Sequence, residues 1–128
     1  MEEKWRRPIR CYVSPAGNDK IADWYMGLSV PEQADVDVLL KNVRRERHWS
    51  MPEYRAKLKG LKGIGELRWF SGKKQHRLLG YFDGEVWVAL IGCTHKGKVY
   101  DPADALKSAE KRKSQIENGE AGTIEYNL

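Results

Sequence analysis

The chain has 128 residues and a mass of 14.8 kDa, which fits one domain rather than two. Its 41% hydrophobic content, with five Trp and six Tyr, excludes a disordered chain despite a mean hydropathy of −0.70. No apolar run approaches the roughly 20 residues of a membrane span, and residues 1–7, MEEKWRR, have no apolar stretch behind their charges, so a cytoplasmic protein without membrane contact is expected. The net charge of +5 is unevenly spread. Residues 41–62 sum to +6 and residues 63–100 to +3, while both ends are acidic. A basic block of this kind suits phosphate neutralisation on a nucleic acid, a solvated face or an acidic protein partner.

In chain order, residues 5–14, WRRPIRCYVS, read as a first strand around Ile9, Cys11 and Val13. Asn18 is placed to cap a helix carrying Ile21, Ala22, Tyr25 and Leu28. Ser29-Val-Pro-Glu32 is a capping-box pattern that opens a longer helix with Val36, Leu39, Leu40 and Val43 on its buried face. Arg44, Arg45 and Arg47 follow, as a stabilised helix end or part of a basic surface. Residues 50–63 read as a short helix or turn anchored by Leu58 and Leu61.

From there the periodicity changes to two, predicting strands over 64–70, 74–82 and 85–93, the last two joined by the hairpin dipeptide Asp83-Gly84. Asp101-Pro102-Ala-Asp104 opens a last helix that ends at Asn118-Gly119, leaving 119–128 as a flexible tail behind a single domain of 1–118. The expected fold is therefore α+β, ordered β-α-α-β-β-β-α. Its curved antiparallel sheet has about four strands, with helices packed on one face and the other face open for function.

Alternation puts Leu67 and Trp69 on the core side of the first meander strand and Glu66, Arg68 and Phe70 on the other. In the next strand Arg77 and His76 point to opposite faces. Apolar content does not decide which faces inward. If Leu78 and Phe82 pack in the core, Arg77 joins Arg68 on the open face and His76 becomes a half-buried structural histidine. Cys11 and Cys93 read as buried thiols, with a disulfide or a reactive cysteine as the alternatives. No phosphate-binding glycine loop, GxGxxG, HExxH or GxSxG pattern is present, and the three His have no metal-ligand spacing, so neither metal nor cofactor is expected. What remains for chemistry is the set Arg68, Arg77, His95, Lys96, Lys98 and Tyr100. Such groups suit a reaction that builds negative charge at phosphorus, with Arg and Lys stabilising oxygens while His or Tyr moves protons.

Several segments taken together resemble a known family. They are Leu58-Lys-Gly-Leu61, Glu66-Leu-Arg68, His76-Arg77-Leu-Leu-Gly-Tyr81-Phe, Val88-Ala-Leu-Ile-Gly92 with His95-Lys96 following, and Pro102 with Ala109 and Arg112. Their order and spacing over about residues 55–113 resemble the RelE/ParE superfamily of toxins from type II toxin–antitoxin systems, nearest to its HigB-like and RelE-like branch. The resemblance implies a ribosome-dependent, metal-independent mRNA endonuclease that cleaves by attack of the ribose 2′-OH on the adjacent phosphate. Its implied partners are the ribosome, mRNA and a cognate antitoxin.

The resemblance also assigns roles. Arg77 would be the cation on the scissile phosphate and Arg68 a basic neighbour, with His95, Lys96 and Tyr100 completing the catalytic set. Lys57, Lys59, Lys73, Lys74 and Lys98 are the basic residues expected to bind RNA. The sequence departs from the family pattern at Glu66, where some members have Lys, at Gly97, where the HigB-like pattern has Thr, and at Pro102, which comes about one residue late. The alternatives are a ParE-like toxin acting on a topoisomerase and a relative that binds RNA or protein without catalysis.

Overall fold

Burial on both faces of one sheet organises the molecule. The computed structural model describes residues 5–58 and 60–126. Ser29 caps its helix as a true capping box: its side chain accepts from the Glu32 amide, and the Glu32 carboxylate accepts from the Ser29 amide at 3.0 Å. The first helix, α1 (Lys20–Met26), is capped by Asp19 rather than Asn18, because the Asp19 carboxylate reaches the amides of both Ile21 and Ala22. The second, α2, spans Val30–Val43 and the third, α3, spans Ala105–Glu117.

Among the described residues seven strands form the sheet: β1 (Ile9–Val13), β2 (Tyr54–Arg55), β3 (Gly65–Ser71), β4 (Lys74–Asp83), β5 (Val86–Lys96), β6 (Val99–Asp101) and β7 (Gly122–Glu125). The predicted meander is present as β3, β4 and β5, in antiparallel register with Arg68 opposite Arg77 and Arg77 opposite Cys93. Gly84 takes φ +61 in the β4–β5 turn, the left-handed conformation that this hairpin needs.

Three expectations are corrected. The sheet holds seven strands, not about four, because 50–63 contributes β2, the residues after β5 fold back as β6, and Gly122–Glu125 pairs with β1 as β7. The sheet is mixed rather than antiparallel, since β1 runs parallel to β5 with Ile9 opposite Trp87; the architecture is a mixed α/β one. Helices cover both faces rather than one.

On one face Ile21 of α1 and Val36, Leu40 and Val43 of α2 pack on Ile9, Cys11, Leu67, Trp69, Leu78, Trp87 and Ala89. On the other, Ala105 and Ala109 of α3 pack on Leu79, Tyr81, Val88, Leu90, Ile91 and Cys93. Adjacent residues such as Leu78 and Leu79 thus both lie in a core, each side chain contributing about 1.5–3 kcal/mol by leaving water. The register shifts at Leu79/Gly80, where Leu90 is the extra residue of a bulge that turns both Leu90 and Ile91 toward α3.

The segment read as a flexible tail is tied down. Arg10 donates to the Thr123 hydroxyl at 2.7 Å and to its carbonyl at 2.9 Å, and the Tyr126 amide donates to the Ile9 carbonyl at 2.9 Å. Truncation after Asn118 removes these bonds and the β1–β7 ladder, so at ~1 kcal/mol per hydrogen bond it should cost roughly 3 kcal/mol or more. A urea denaturation midpoint unchanged by the truncation would contradict this.

Candidate active site around Glu66

Where α3 ends its cover, the same sheet face carries polar side chains. Glu66 and Arg68 come from β3, Gln75 and Arg77 from β4, His95 from β5 and Tyr100 from β6. The register sets them side by side, with Arg68 opposite Arg77, Gln75 opposite His95 and His95 opposite Tyr100.

Glu66 is the hub. It is only 2% exposed, and its carboxylate accepts from the Tyr100 hydroxyl at 2.8 Å. The same group lies 3.5 Å from Arg77 Nε and 3.7 Å from Arg68 Nε, ion-pair rather than hydrogen-bond distances. A lone carboxylate in this position would be expensive to bury, and two guanidiniums and a phenol offset that cost. The sequence places Glu66 on the same face as Arg68 and within a segment of the resemblance, but assigns it no role. The signal that could have found it was an isolated acid alternating with Leu67 on the most basic face of the sheet.

Arg77 shares the face with Arg68 but is not open to solvent. It is 3% exposed; its Nη1 donates to the His76 carbonyl and its Nη2 to Gln75 Oε1, both at 2.9 Å. Burial draws its guanidinium below the ordinary value while Glu66 opposes the shift. Arg68 is the reachable cation, with its side chain 28% exposed and Nη1 3.4 Å from Met51 Sδ. His76 is fully buried on the opposite face, stacked on Trp69 at 5.5 Å with Nε2 3.0 Å from Glu32 Oε2. Burial holds its pKa below the ordinary value against the pull of Glu32, which makes it a core histidine.

His95 is half-buried with its ring 4.6 Å from that of Tyr100, and its Nδ1 has no hydrogen-bond partner among the described residues. Desolvation first, then the nearby Arg77 guanidinium, lower its pKa from the ordinary 6.5, so the imidazole is neutral at pH 7. Tyr100 is shifted up by burial and by its bond to Glu66, which keeps its phenol protonated. Cys93 lies behind these groups with its thiol pushed up to about 12 by burial, and Cys11 on the other face is pushed up equally, so both are inert thiols at neutral pH.

An open groove of about 1130 Å³ adjoins the cluster. The β3–β4 turn and the start of β4 contribute Lys73, Lys74 and Gln75, while the end of β5 and the β5–β6 turn contribute Thr94, His95, Lys96 and Gly97; Glu32 and Asp101 are its acidic members. The structure thus brings Arg68, Arg77, His95 and Tyr100 together, with Lys73, Lys74 and Lys96 beside them. Lys98 is exposed in the β5–β6 turn. Lys57 is exposed in the loop after β2, away from the lining of this groove, and Lys59 lies outside the described residues.

Among the described residues no group of three or more His, Cys, Asp or Glu is arranged to hold a metal ion, and no helix is long and apolar enough to cross a membrane. Comparison of the chain with protein-family models, with curated proteins and with solved structures finds no match in any of the three.

Proposed function

We propose that this protein is a ribosome-dependent mRNA endonuclease, the toxin of a toxin–antitoxin pair, and that it needs no metal. The observation that carries the reading is the gathering of Arg68, Arg77, His95 and Tyr100 around one buried carboxylate beside a lysine-lined groove. The segments that resemble the RelE/ParE toxins supply Arg68, Arg77 and His95, and the resemblance assigns a role to Tyr100 as well.

The chemistry follows from the positions. Neutral His95 takes the proton of a ribose 2′-OH as that oxygen attacks the adjacent phosphorus. The developing phosphorane carries negative charge, which the Arg68 guanidinium meets directly and Arg77 from below through the low-dielectric core. As the bond to the 5′-oxygen breaks, the Lys96 ammonium on the groove wall protonates it, leaving a 2′,3′-cyclic phosphate and a free 5′-hydroxyl. Glu66 touches no substrate; it fixes the two arginines and Tyr100. A codon held extended by the ribosome supplies the in-line geometry that free single-stranded RNA lacks, so RNA alone is cut poorly.

Induced expression in a bacterial host should arrest growth and fragment translated mRNA, read by mapping 5′ ends across transcripts. Growth arrest with intact mRNA would overturn the reading, and arrest with blocked DNA replication would favour a topoisomerase target.

A further inference from the structure

We infer that Phe70 and Gln75 form a nucleobase subsite that sets which RNA sequence is cut. The inference rests on the RNA-cleaving function proposed above, and it concerns residues to which that mechanism gives no part.

Phe70 is 64% exposed at the end of β3, although a phenyl ring gains by leaving water. Its β3 neighbour on the same face is Arg68, and its cross-strand partner is Gln75. A shallow groove of about 460 Å³ opens here, its apolar wall including Met51, Pro52 and Phe70 and its polar side formed by Arg68, Gln75 and Arg77 with one carboxylate, Glu53. Apolar walls with a few fixed polar groups suit a planar heterocycle better than a phosphate.

Gln75 supplies the polarity for reading a base. Its Oε1 is occupied by Arg77 Nη2 at 2.9 Å, which fixes the amide and leaves its NH2 group as a donor. Gln75 also lines the lysine groove, so the two grooves meet at this residue. A nucleotide whose phosphate lies against Arg68 can therefore set its base on Phe70 with an acceptor edge toward Gln75. Around the exposed ring, Arg68 on its own strand, Arg77 behind it and Lys73 in the adjoining turn outnumber the single carboxylate Glu53, which favours RNA over an apolar protein segment as its occupant.

The test uses single-stranded oligoribonucleotides carrying 2-aminopurine at successive positions, whose fluorescence falls when the base stacks. In the wild-type protein and in His95→Ala, one position should be quenched. Phe70→Leu keeps an apolar side chain but loses the flat face; it should abolish the quenching and weaken binding about tenfold, within the range for loss of one base–aromatic stack. Gln75→Glu keeps the acceptor for Arg77 and removes the donor, so it should move base preference toward bases presenting an amino group, in both binding and cleavage maps. Quenching and affinity equal to wild type in Phe70→Leu would overturn the inference, as would an unchanged base preference in Gln75→Glu. Quenching without any mRNA cleavage would refute the nuclease function alone, and normal cleavage with an unaltered site preference in both variants would refute the subsite alone.

Discussion

Replacing Glu66 with alanine should destabilise the protein by about 3–5 kcal/mol, the cost of leaving a buried charge uncompensated. Arg77 cannot move out to water without giving up its bonds to the His76 carbonyl and Gln75, and it sits 3% exposed between two strands. Tyr100 loses its acceptor in the same variant, which releases β6 from β3. Glu66→Gln keeps an oxygen for Tyr100 and removes only the charge, so its loss should be smaller. Arg77→Met in the Glu66→Leu background should recover most of the stability, because both charges then leave together and apolar volume replaces them. Urea denaturation of the single and double variants measures this coupling. A loss below about 1 kcal/mol in Glu66→Ala would mean that neutral acceptors alone satisfy Arg77, and Glu66 would cease to be the hub of the site.

His95→Ala should lower the cleavage rate on programmed ribosomes by about 10²–10⁴, the contribution of a positioned general base, with little change in folding stability. The pH profile identifies the group. A base must be neutral to accept a proton, and His95 is held below the ordinary 6.5 by desolvation and Arg77. The wild-type rate should therefore stay level through neutral pH and fall about tenfold per pH unit only once the pH drops below this lowered pKa. His95→Ala should lose that acid limb along with the rate. Full activity in His95→Ala with loss in Tyr100→Phe would move the proton transfer to the phenol.

Local chemistry made some elements legible and long-range pairing hid others. The capping box at Ser29 and the β4–β5 hairpin are encoded within a few residues; the box stands where it was expected, and the hairpin loop is Gly84-Glu85, one residue beyond the expected Asp83-Gly84, because Asp83 still pairs with Val86. β7 is different: Gly122-Thr-Ile-Glu125 has one large apolar residue, and its pairing with β1 joins segments about a hundred residues apart, which no periodicity signals. β6 is three residues held by the end of β5 and by Tyr100 bonding to Glu66.

The expectation of one open sheet face failed for a reason visible in the chain. Leu78-Leu79 and Val86 to Cys93 are nearly continuous apolar runs, the pattern of strands covered on both sides, whereas alternation was used to assign a single core face. The site residues were legible as types. Their arrangement was not: that Arg77 is buried and Arg68 reachable follows from Glu66, whose ion pair with Arg77 crosses from β3 to β4, and from Gln75, which holds Arg77 from two residues away on the same strand.

The most direct measurement of the central claim is cleavage by the purified protein of ribosome-bound mRNA in excess chelator, with a single 2′-deoxy substitution at the mapped cut site. The account predicts cleavage of the all-ribose message with 2′,3′-cyclic phosphate ends, and no cut at the deoxy position. Cutting at the deoxy nucleotide, or 3′-hydroxyl ends, would show that the 2′-oxygen is not the nucleophile and would contradict the mechanism built on His95 and Arg68.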